Sequence, residues 1–363
     1  MKKIISLILL LCMVFALAAC GGSEAPAATE APAEAPADDA AEAPAEENAE
    51  EATGAEATYT LGLGVVSNFD SSETGNAQID TTFAAIVTDA DGKIVSCRID
   101  CAQNKMDVTD GAVTTGNEYP TKMEKGDAYG MVQFGNAIAE WDDQTKAFEE
   151  FVVGKTVDEV VAIETQENES GHNVAVDETL FASCTMDIVD FKAAVEKAGS
   201  DEWAVTFTTA DPFTLGVASI TDDSESTAPT AEEDGVVKMY TEFGAAVVGS
   251  DGKILAALND AIQPNITVNT AGEIVSTEYK GTKRELGDAY GMVQFGAAIA
   301  EWDAQSAAFS QYTVGKTADE VAGLETKENN GHQVTVDETL FASCTMDITG
   351  MKEVIATAAN YAR

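Results

Sequence analysis

Thr185 and Thr345 each lie in the same thirteen-residue string, VDETLFASCTMDI, which occurs at Val176–Ile188 and again at Val336–Ile348. Each threonine puts a hydroxyl beside a thiol, Cys184 or Cys344. Such groups become nucleophiles only with a base at hand, and the chain's histidines are His172 and His332, one just ahead of each string. A zinc centre takes three or four His or Cys ligands. One His and one shared Cys in each half of the duplicated sequence therefore read as strand starts and structural thiols, with no metal site. Cys97 and Cys101 correspond to Ala257 and Ala261, 160 residues on, which points to small buried residues. On one straight strand they stand ~13 Å apart, too far for a disulfide. A Cys184–Cys344 bridge would require the two strings to meet symmetrically. Val153-Gly-Lys-Thr156 invites a phosphate-loop reading. That loop needs a glycine five residues ahead of its Gly-Lys pair, where Glu149 and Ser310 stand, so Gly154 reads as a helix stop.

Other blocks recur at nearly constant offset. GDAYGMVQFG at Gly126–Gly135 returns at Gly287–Gly296, AIAEWD at Ala137 returns at Ala298, and DGKI at Asp91 returns at Asp251. The pattern is an internal duplication, expected as domains over 58–200 and 201–363. Within each copy, β-rich runs flank Asp91-Gly92 and Asp251-Gly252, a hairpin signal. Ile266–Asn269 and Glu273–Tyr279 flank a second turn. A helix is expected from Asp127, capped by that residue, with Met131, Phe134, Ile138, Trp141, Thr145, Phe148 and Val152 on one buried stripe. Gly130 and Gly135, with Gly291 and Gly296, each cost ~1 kcal/mol against alanine inside a helix. They imply a close approach there, by a strand or by a ligand. Thr156 to Glu159 and Thr317 to Glu320 fit capping boxes, and Asn329-Asn330-Gly331 a tight turn. A last helix covers Asp190–Lys197. The order predicts an α+β fold: two tandem homologous domains, each an antiparallel β-meander packed by helices.

Ala182-Ser183-Cys184-Thr185, followed by a helix to Ala198, resembles the end of bacterial FMN-binding domains, and the DGKI hairpin resembles that family's opening strand pair. The resemblance implies that Thr185 and Thr345 could carry a covalent flavin phosphate. Here Ser183 replaces the motif's glycine and Cys184 its alanine, and a side chain in the glycine's place obstructs backbone approach to a phosphate.

The N-terminus bears on location. Lys2 and Lys3 precede an apolar run, Ile4–Leu17, too short to span a bilayer, and Leu17-Ala-Ala-Cys20 resembles the lipobox of bacterial lipoproteins. It implies a signal peptide over 1–19 and lipidation of Cys20. Residues 20–57 form an Ala/Pro/Glu linker with 11 acidic residues and no Lys or Arg. That composition predicts a disordered tether. The net charge of −43 argues against nucleic acid, whose binding needs Lys and Arg. Without a nucleophile–base pair or ligand cluster, the expectation is a non-enzymatic, cofactor-free lipoprotein. Its place is the extracytoplasmic face of the cell membrane, with a binding or envelope-interaction role. The alternatives are an FMN-carrying redox lipoprotein and, third, a solute-binding lipoprotein.

Overall fold

The computed structural model describes residues 56–363. The signal segment, Cys20 and nearly all of the linker lie outside the described residues. The first copy opens with β1 (Ala57–Asn68), β2 (Asn76–Thr88) and β3 (Ile94–Asp107), an antiparallel meander. Asp89 Oδ1 accepts from the amides of Asp91 and Lys93 at 2.9 Å, closing the predicted Asp91-Gly92 turn. There follow α1 (Lys122–Lys125), α2 (Met131–Gly135), α3 (Trp141–Val152) and α4 (Val157–Val161). A small hairpin, β4 (Thr165–Glu167) and β5 (Asn173–Ala175), leads to α5 (Glu178–Phe181) and α6 (Val189–Gly199). β6 (Val205–Thr209) then pairs with β1, so the first sheet runs β3-β2-β1-β6 and takes in a strand from beyond residue 200.

The second copy repeats the order with its long strands broken. β7 (Phe213–Asp222), β9 (Tyr240–Gly249) and β10 (Ile254–Ile262) make one sheet. β8 (Gly235–Val237), β11 (Asn265–Val268) and β12 (Ile274–Glu278) make another. Pro264 stands between β10 and β11, and without an amide it cannot continue a ladder. The helices α7 (Lys283–Leu286), α8 (Met292–Gly296), α9 (Trp302–Thr313) and α10 (Ala318–Ala322) match α1 to α4. β13 (Thr326–Asn329), β14 (His332–Thr335), α11 (Glu338–Phe341) and α12 (Thr349–Asn360) complete it. Asn330 and Gly331 both take positive φ, 52° and 86°, as the expected tight turn requires.

The two copies share one core. Leu63, Phe83 and Val87 of the first sheet pack with Val217, Phe243 and Val247 of the second. The outer face of each sheet carries its own helices: Phe148, Phe191 and Val195 over the first, Phe309, Met351 and Ile355 over the second. The layers therefore run helices, sheet, sheet, helices, and the central strands are buried on both faces, which explains their nearly continuous apolar runs. The close-approach glycines lie in these strands. On β1 a Cβ at Gly62 or Gly64 would strike the α6 backbone at Ala198 and Ala194.

The expected long helix from Asp127 is broken. Gly130 and Asn136 take left-handed conformations, φ 81° and 53°, and Glu140 is extended, so α2 and α3 are separate and Asp127 makes no cap. Trp141, Thr145, Phe148 and Val152 are buried as the stripe predicts, and Met131 packs partly against them. Phe134 and Ile138 face solvent instead.

Candidate binding loops

The segment between α1 and α3 is held from three sides. Thr121 opens α1 with a complete capping box to Glu124. Buried Asp100 Oδ1 accepts from the amides of Cys101 and Met123 at 2.6 and 3.1 Å, pinning the start of α1 to β3. This places Lys122 Nζ 5.1 Å from the Tyr129 ring centroid and 5.6 Å from that of Trp141, so a cation sits against two aromatic rings. Glu140 provides the third hold. Its carboxylate accepts from the amides of Met131 and Val132 at 2.7 and 2.9 Å, supplying the first turn of α2 with acceptors those amides lack.

Above this base the loop turns Phe134 outward, 81% exposed, flanked by exposed Val132 and Ile138. The ring lies back over Gly130, where a Cβ would stand 2.6 Å from Phe134 Cδ2. Gly130 thus serves a positive φ and an adjacent ring, and a Cβ on Gly135 would meet nothing within 4 Å. The close approach at Gly130 comes from this ring and not from a strand. Gly291 and Gly296 behave alike, with Phe295 also 81% exposed. In the second copy Glu301 caps Met292 and Val293 at 2.7 and 2.9 Å.

The base of the second loop is more polar. Lys283 Nζ lies 4.4, 4.7 and 5.5 Å from the ring centroids of Tyr240, Tyr290 and Trp302 and donates to Tyr240 Oη at 3.2 Å. Burial pushes this ammonium down to about 8, against the opposing pull of Glu242 and Asp260. Burial also pushes the Glu242 carboxyl up to about 7, Asp260 to about 6 and Asp100 to about 7. In copy one Asp80 stands where Tyr240 stands, and Thr82 where Glu242 stands. The acid has shifted by two residues along one strand, on the same face. These buried groups lie beneath the loops and position them. Only the lysine's placement between Tyr and Trp positions at i+7 and i+19 was open to reading from sequence.

Thr185 and Thr345 are half-buried, and each has its amide and hydroxyl turned inward. The Thr185 amide and Oγ1 donate to Gln144 Oε1 at 2.9 and 3.2 Å, and Thr345 does the same to Gln305 at 2.9 and 3.3 Å. A flavin phosphate would need the donors that these buried glutamines already engage, so the residues present do not fit it well. Elsewhere the repeated string does structural work. Asp177 caps α5, and Asp187 accepts from the amides of Asn173 and Val189. Cys184, Met186 and Ile188 face the core. Cys97, Cys101, Cys184 and Cys344 are free and buried. Burial raises the Cys101, Cys184 and Cys344 thiols to about 11, leaving little reactive thiolate. Cys184 and Cys344 sit in separate outer cores, which the symmetric bridge would have had to join. His172 and His332 are exposed at strand starts. Among the described residues no group of three or more His, Cys, Asp or Glu is placed to hold a metal.

A chlorophenol reductase of Desulfitobacterium hafniense is 33% identical over 117 residues, covering 27% of this chain and 36% of that protein. The chain therefore spans about a third of the relative's length. No family model matches the chain. No solved structure matches it.

Proposed function

We propose that this chain is a lipid-anchored bacterial cell-surface protein with a non-catalytic binding role. Its two copies each offer a Phe-tipped loop to an apolar surface of the cell envelope. The observation that carries this reading is the twin placement of Phe134 and Phe295, each 81% exposed on a loop fixed from beneath by a Glu cap and a cation–aromatic base. A large ring held in water by a stiff loop gains free energy when a partner covers it, with little loop entropy left to lose. No helix among the described residues is long and apolar enough to cross a membrane, and in this reading attachment comes from lipid on Cys20. The test uses the full chain with Cys20→Ser, titrated onto washed envelopes of the native host. Saturable binding is expected, weakened at least tenfold in Phe134→Ser/Phe295→Ser. Binding unaffected by both substitutions overturns the reading.

A redox reading, with FMN on Thr185 and Thr345, draws on the sequence resemblance and on a relative named as a reductase. Against it stand the Gln144 and Gln305 contacts. Intact mass and flavin absorbance of protein from the native host decide it: one FMN mass per threonine supports it, and colourless, unmodified protein rejects it.

A further inference from the structure

A cleft of about 560 Å³ opens in the first copy between the end of α3, the turn into α4 and the strand leading to α5. Its walls include Phe151, Ile163 and Val176, and its charged rim includes Lys155, Glu164 and Asp177. The duplication supplies an internal comparison. At the matched place in the second copy, Phe151 is replaced by Tyr312, whose Oη donates to Asp337 Oδ2 at 2.9 Å. Asp337 matches Asp177, and in both copies Oδ1 of this aspartate is taken by the first amides of the short helix. Copy two thus fills the remaining oxygen with a donor of its own, whereas Phe151 has no hydroxyl to give Asp177.

Both lysines lie over the matched ring, Lys155 4.3 Å from the Phe151 centroid and Lys316 3.9 Å from that of Tyr312, and Lys316 Nζ also donates to the Tyr312 carbonyl at 2.8 Å. Lys93 is neutralised by Glu159 at 2.9 Å. That leaves the rim with one lysine, Lys155, against two carboxylates, Glu164 and Asp177, on a chain of net charge −43. Asp177 is exposed, so its Oδ2 is open to a ligand in place of solvent; apolar walls stand beside it, and the field favours a cation.

We propose that this cleft is a binding site for a small primary ammonium with an apolar body. The ammonium donates to Asp177 Oδ2, where Tyr312 supplies its own hydroxyl in copy two, and the body lies against Phe151, Ile163 and Val176. The site is independent of the Phe-tipped loops. Its test is amide chemical-shift mapping on the full-length chain with benzylamine as probe, up to about 10 mM for so small a ligand, and with benzoate as the anionic counterpart. Benzylamine is expected to shift the amides around Phe151–Lys155 and Val176–Asp177. Phe151→Tyr, which installs the residue copy two already carries, should weaken that binding at least fivefold. Tyr312→Phe should create a second set of shifts around Lys316 and Val336–Asp337. Unchanged affinity in Phe151→Tyr, a preference for benzoate, or no shifts with benzylamine overturns the proposal.

Discussion

Phe83 and Phe243 occupy the same position in the two copies, 160 residues apart, and meet each other with ring centroids 5.1 Å apart. Tyr59 and Phe213, another matched pair, meet at 5.0 Å. The duplication has thus packed like against like, and each copy's inner sheet face finds its cover in the other copy. Glu149 with Arg363 at 3.1 Å ties the copies further.

The two halves should therefore unfold together. Phe83→Ala opens a cavity in the shared core and should cost about 3–5 kcal/mol. Denaturant titrations followed by Trp141 alone and by Trp302 alone, each in a variant lacking the other tryptophans, should give coincident midpoints that shift together in Phe83→Ala. A midpoint shift confined to the Trp141 signal would mean independent domains.

The buried carboxyls predict a pH dependence. Asp100, Glu242 and Asp260 titrate at about 7, 7 and 6 in the folded chain, above the usual carboxylate values of about 4 when unfolded. Between those limits the folded state holds protons that the unfolded state has released, so stability falls as pH rises through the window. Melting temperature should drop from pH 5 to pH 8, and Asp100→Asn with Glu242→Gln should flatten that slope. A slope left intact in the double variant would place the effect elsewhere.

Removing the cap should free the loop. Glu140→Ala strips the acceptors from the Met131 and Val132 amides, at a cost in the range of other cap losses, about 0.5–2 kcal/mol. Hydrogen exchange at those two amides should accelerate, with the β2 and β3 amides unchanged.

Gly130→Ala places a methyl against the Phe134 ring at a left-handed backbone position, costing roughly 1–2 kcal/mol. Circular dichroism should be preserved while Phe134 is displaced. Envelope affinity should then fall although the phenylalanine remains.

Much of the frame was legible from the residues. Asp91-Gly92 and Asn330-Gly331 announce their turns because few residues tolerate positive φ, and Thr156 and Thr317 form their capping boxes as read. The loops were hidden because helical periodicity is blind to phase breaks. Met131, Phe134, Ile138 and Trp141 keep helical spacing although left-handed Asn136 and extended Glu140 break the helix between them and the middle pair turns outward. The shared core was hidden for another reason. A run such as Leu61-Gly-Leu-Gly-Val65 says that both faces are buried, and says nothing of which chain segment covers the second one. Replacement of a single ring hydrogen by a hydroxyl, Phe151 against Tyr312, carries a site difference that only the placement of Asp337 exposes.

The reading of the Phe-tipped loops stands or falls on where an envelope partner protects the chain. Hydrogen exchange of the full chain, free and envelope-bound, should show new protection concentrated at Met131–Ile138 and Met292–Ile299. Protection that spares both segments, or no protection anywhere, would contradict it.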